Sequence, residues 1–221
     1  MKKYLFMKRA IMLTEEGLHK IIRGVLIEAY SGLIDNDQNQ DELHRAACQK
    51  GFNLIGYHNT REQFLTNFYD RSAGIHFGSL KAANDRGEQR DLDDDAQNWT
   101  NEYFLKVKNP LVIEKDFDWE MESFDYWSSP DDDKYYDDID IFVYFDKVLG
   151  FDIEGKDIKE IINEHGYDCI IYRNEREDVG NYSIAMFNPN HIKLARQTYD
   201  DNNNPIPLEQ RFNTNTDDVR Y

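Results

Sequence analysis

Two short segments, Tyr57-His58-Asn59-Thr60 and Gly74-Ile75-His76-Phe77-Gly78, constrain the fold of this chain more than any other feature. Each alternates apolar and polar side chains as a strand does, and the glycines on either side of the second let backbone come close to a ligand. Between them, residues 61–72 set Phe64, Leu65 and Phe68 at helical spacing, which predicts a helix. The unit reads strand, helix, strand, with both strands offering polar groups to a small molecule. An Ala82-Ala83 pair follows it.

A third block lies near the C-terminal end. Residues 166–177 and 182–193 read as two strands joined by a turn that carries Glu175 and Glu177, with an exit through Asn188-Pro189. The turn, residues 173–180, combines charge, a glycine and no apolar anchor, so it is expected to move more than the strands it joins. On extended backbone, acids two residues apart point to one side, which would put both glutamates on the same face.

At these three blocks the chain resembles the ADP-ribosyltransferase superfamily, in particular the transferase-like domains of phage polyvalent proteins. In the branch of poly-ADP-ribose polymerases and diphtheria toxin, the first strand carries His-Gly-Ser/Thr and the second Gly-Ile-Tyr-Phe. The matching positions are His58-Asn59-Thr60 and Gly74-Ile75-His76-Phe77, with Asn59 standing in place of Gly and His76 in place of Tyr. The resemblance covers residues 52–221. It implies an α+β fold, two packed antiparallel β-sheets with flanking helices, formed by residues 51–198. Residues 1–50 would be a helical extension and 199–221 a C-terminal tail.

The resemblance also implies NAD as substrate and mono-ADP-ribosyl transfer as the reaction. Tyr57, His58, Asn59, Thr60, Gly74, His76, Phe77 and Ser183 are the NAD-binding positions it marks. Among them, His58 would bond the adenosine ribose, the Asn59 backbone the carboxamide, and His76 with Phe77 would form the wall for nicotinamide. Thr60 would lie on the pocket floor. Ser183 occupies the place of the acid in the polymerase branch, so the catalytic carboxylate falls to Glu175 or Glu177, Glu175 being preferred. A non-catalytic binding module on the same fold and an NAD glycohydrolase are the alternative readings.

Charge bears on the acceptor. The net charge of −17 repels phosphate backbones, disfavours general nucleic-acid binding and favours a protein acceptor. A dinucleotide can still bind through short-range donors, for which Arg61, Arg71 and Arg86 are candidates. Fourteen Tyr, thirteen Phe and a hydrophobic fraction of 40% mark a folded chain rather than a disordered acidic one. Two cysteines, Cys48 and Cys169, form no metal motif or disulfide framework, so no metal is expected and a reducing, cytoplasmic setting is the simplest. No signal peptide or membrane span is expected.

The remaining expectations are structural. An amphipathic helix is predicted over residues 14–29, and another around Leu43, Ala46 and Ala47 ending near Gly51. Residues 35–41 mimic the start of a calcium loop but have Gln40 where Gly is needed and read as a polar linker. Strands are predicted at 103–107 and 111–113 around a turn containing Asn109-Pro110. An acidic loop follows over 128–140, then a helix carrying Ile158, Ile161 and Ile162.

Overall fold

The computed structural model describes residues 38–69, 73–93, 97–114 and 141–221. The predicted helix at 14–29, the acidic run 128–140, residues 35–37 of the calcium-like segment and Arg71 lie outside the described residues. Residues 38–41 are not a linker; they form the first turn of helix α1, Gln38–Gln49. Leu43 and Ala47, four apart, are its buried face, and the chain leaves it through Gly51 at φ +84°, a conformation only glycine adopts cheaply.

The described strands form two sheets, so the α+β class holds. The first sheet has the order β1-β3-β7, with β1 Leu54–Thr60, β3 Trp99–Leu105 and β7 Ile192–Leu194, all antiparallel. The second has the order β2-β6-β5-β4, with β2 Ile75–Phe77, β4 Pro110–Ile113, β5 Cys169–Arg173 and β6 Tyr182–Met186. The second sheet departs from the expectation of purely antiparallel pairing, because β4 runs parallel to β5. The reason is the Asn109-Pro110 turn. Rather than folding β3 and β4 into a hairpin, it carries the chain from one sheet to the other, where the Asn109 carbonyl accepts from the Asp168 amide and β4 enters alongside β5.

Between the sheets Leu54, Tyr103 and Leu105 of the first meet Ile75, Phe77, Ile171 and Ile184 of the second in one core. Helix α1 covers the outer face of the first sheet through Ile55 and Phe104. Helix α2, Leu80–Asp93, follows β2. The segment α3, Ile141–Val143, runs on into a π-helical stretch, Tyr144–Leu149. Together with α4, Ile158–Glu164, it covers the outer face of the second sheet. Asp157 and Glu160 cap α4 reciprocally, which satisfies two amides that the helix start would otherwise leave without partners.

Packing crosses both expected boundaries. Leu43 and Ala47 before residue 51 and Phe212 after residue 198 share one core with Ile55 and Phe104. The tail is a strap: the Leu194 amide donates to Val219 O at 2.8 Å, and the Val219 amide donates to Thr66 O at 2.7 Å. This strap overturns the predicted helix at 61–72. Residues 61–69 contain no helix, because Thr66 and Asn67 spend their backbone groups on Val219 and Asp218, and Phe64 is 80% exposed rather than on a buried face. Among the described residues, the unit is strand, loop, strand.

Lys193 holds the strap from below. Its side chain is buried and its Nζ donates to Thr216 O and Asp218 O, both at 2.8 Å. Burial pushes the ammonium down to about 8. Between that value and the ordinary lysine range the unfolded chain binds the extra proton, so stability rises with pH there. Melting temperature is therefore expected to climb from pH 8 towards pH 10 in the parent and to climb less in Lys193→Met. Equal slopes would show that Lys193 is not titrating in that window.

Candidate active site

The edges of the two sheets meet at Tyr57 and Gly78. Tyr57 of β1 and Gly78, just after β2, exchange both backbone hydrogen bonds, at 2.9 and 3.0 Å. In a continuing antiparallel ladder the next such pair would be Asn59 with His76. The strands fork instead, and the His58 ring closes the gap: its Nδ1 donates to the His76 carbonyl at 2.7 Å. Backbone direction alternates along a strand, so the Asn59 amide and carbonyl face the same edge as those of Tyr57, into the fork. A cleft of about 590 Å³ opens there.

All eight expected NAD-binding positions line this cleft: Tyr57, His58, Asn59, Thr60, Gly74, His76, Phe77 and Ser183. Their roles differ from one another. The His58 ring is wedged edge-on against Phe68 at 5.1 Å, which fixes its plane. Thr60 Oγ1 accepts from the Glu62 amide at 3.1 Å and so shapes the start of the loop. Tyr57 contributes backbone; its hydroxyl donates to Glu102 Oε1 on the neighbouring strand at 2.9 Å. Burial, then the Glu102 charge, holds that hydroxyl far above its ordinary titration range, so it remains a donor.

Asn59, which replaces the glycine of the resembling motif, does not block the fork. Its Nδ2 donates to Asn98 Oδ1 at 2.6 Å and to Thr100 Oγ1 at 3.2 Å. The side chain is accommodated by Gly87 of α2, where a Cβ would lie 2.5 Å from Asn59 Nδ2. The extra volume at one position is thus offset by the lack of volume at another, on the next helix.

His76 is pinned at both ring nitrogens. A carbonyl only accepts, so Nε2 carries the proton it gives to Ala73 O at 3.0 Å, and in the neutral ring Nδ1 then accepts from the Tyr172 hydroxyl at 2.9 Å. The ring is fixed as a wall of the cleft. Phe77 is not part of that wall in the way expected. It is 1% exposed and packs with Phe68 and Tyr103 in the core between the sheets, because consecutive strand residues face opposite sides.

The two glutamates separate. Their segment is a turn and not extended backbone, so the spacing of two does not align them. Glu177 lines the cleft, whereas Glu175 is exposed and is not among the lining residues. Of the two acids, the structure brings Glu177 and not the preferred Glu175 to the cleft. Glu177 Oε2 accepts from Asn174 Nδ2 at 3.1 Å, and Glu177 Oε1 lies 3.9 Å from the Arg86 guanidinium. Ser183, buried beneath Gly78, accepts from the same Asn174 amide at 3.0 Å.

Nor does the turn lack attachment. Asp178 Oδ2 accepts from Ser79 Oγ at 2.6 Å and from Asn181 Nδ2 at 2.7 Å, and Lys81 donates to the Glu177 carbonyl at 3.0 Å. Polar bonds to the start of α2 replace the missing apolar anchor. Sequence reasoning missed Asn174, Tyr172 and Arg176, all of which line the cleft; all three fell inside the strand-turn block but carried no motif signal. Arg61 and Arg86 also line it, giving a local cationic rim within an acidic protein.

No family model, curated protein or solved structure matches this chain. Among the described residues, no group of three or more His, Cys, Asp or Glu is placed to hold a metal ion. Among the same residues, no helix is long and apolar enough to cross a membrane.

Proposed function

We propose that the cleft binds NAD and that the protein transfers ADP-ribose from it to a macromolecular acceptor, a protein in view of the net charge. The motif resemblance supplies the reaction, and one observation carries the reading: a carboxylate, Glu177, lines the same cleft as the His58 fork. The ADP-ribosyltransferase fold itself is part of the proposal.

In this reading the ribose C1′–nitrogen bond breaks, its electron pair leaves with nicotinamide, and an acceptor nucleophile forms the new bond to C1′ and gives up its proton. Positive charge develops on the ribose during the step. Orientation of NAD and a fixed negative group are the main contributions a protein can make. His58 and the backbone edge at Asn59 orient the dinucleotide; Arg61 and Arg86 supply short-range charge for its phosphates; Glu177 faces the developing cation and polarises the acceptor.

The test is incubation of the protein with labelled NAD and a host lysate, together with melting in millimolar NAD. Binding of NAD to the folded state raises the melting temperature by mass action, and His58→Ala removes most of that rise. Label on protein supports transfer. Free ADP-ribose as sole product indicates a glycohydrolase, and binding without turnover indicates a non-catalytic module. No melting shift, with His58→Ala behaving like the parent, ends the nucleotide reading.

A further inference from the structure

We propose that Asn174 is the positioning residue for the Glu177 carboxylate; the inference rests on Glu177 being the acid of the cleft. Asn174 is 3% exposed and follows directly on Arg173, the last β5 residue paired with β6. Its Oδ1 accepts from the amides of Arg176, Glu177 and Asp178, at 2.9, 3.0 and 3.5 Å. Its Nδ2 uses both hydrogens, one on Glu177 Oε2 and one on Ser183 Oγ. A reversed amide would set its hydrogens against three amide hydrogens, so the orientation is determined. One atom of the side chain therefore folds the turn, and the other aims the acid that the turn carries.

Those two jobs can be separated by an isosteric change. Asn174→Asp keeps an oxygen for the three amides but sets a second oxygen against Glu177 Oε2. Two carboxyls at hydrogen-bond distance share one proton over a range of pH and repel when both ionise. While the pair holds one proton, the introduced carboxyl donates to Glu177 as the amide did. When that proton is lost, the acid is pushed off its aim. The other charges around Glu177 are common to parent and variant: Arg86 beside its carboxylate, Lys81 on its backbone carbonyl with Asp85 beside that lysine, and its chain neighbours Arg176 and Asp178.

The experiment compares NAD consumption by the parent, Asn174→Asp and Asn174→Ala between pH 5 and pH 8.5. Expected is a kcat for Asn174→Asp near the parent's at low pH and about tenfold or more below it at high pH, with KM for NAD little changed. Asn174→Ala loses activity across the range, and Asn174→Asp melts close to the parent at low pH, where the pair holds one proton. Independently of turnover, the side-chain carboxyl carbon resonance of Glu177 titrates at higher pH in Asn174→Asp than in the parent. A loss of activity that is uniform in pH and follows a loss of stability, or an unaltered Glu177 titration, overturns the proposal. If the parent consumes no NAD, the function reading fails while the carboxyl titration still decides the role of Asn174.

Discussion

If the proposed function is right, Glu177→Gln is expected to lower ADP-ribose transfer by about 100-fold or more, with little change in NAD affinity. The substitution keeps the shape of the side chain and can keep the bond from the Asn174 amide, so the turn and the cleft survive while the negative charge facing the ribose is lost. Glu175→Gln leaves transfer close to the parent rate, since Glu175 is not among the residues lining the cleft. Single-turnover rates with labelled NAD, alongside a binding isotherm for each variant, measure both quantities. Undiminished transfer in Glu177→Gln would move the catalytic acid elsewhere.

Phe77→Ala destabilises the fold by about 3–5 kcal/mol, in the range for deleting a buried phenylalanine ring. Phe77 meets His58, Phe68 and Tyr103 at ring-centroid distances of 5.5, 5.7 and 5.4 Å, so the cavity would open where the two sheets join. Denaturant unfolding of parent and variant gives the difference directly. A ring whose task was to stack on nicotinamide would give the opposite pattern, a raised KM for NAD with stability nearly intact. That pattern would show the Phe77 ring acting on a ligand in the cleft rather than in the core.

The sequence was most readable where local chemistry and tertiary contact agree. The β5–β6 hairpin and α4 follow from apolar periodicity, and the two histidine motifs fall on the strands that form the fork. It misled where distant segments decide. Phe64, Leu65 and Phe68 have helical spacing, but the backbone around them is claimed by Asp218 and Val219, which no local window contains. Glu175 and Glu177 look equivalent in sequence, and what distinguishes them is an asparagine that turns the chain between them. The fit of Asn59 depends on Gly87, a residue on another element whose lack of a side chain carries no signal of its own.

The strap has a consequence for synthesis. One wall of the cleft, around Thr66 and Phe68, hangs on Val219, while Lys193 clasps the carbonyls of Thr216 and Asp218. On the ribosome, both histidines and Glu177 emerge well before those tail residues do. A nascent chain stopped short of residue 216 would carry every motif residue but none of the backbone contacts that fasten Thr66 and Asn67 to the tail.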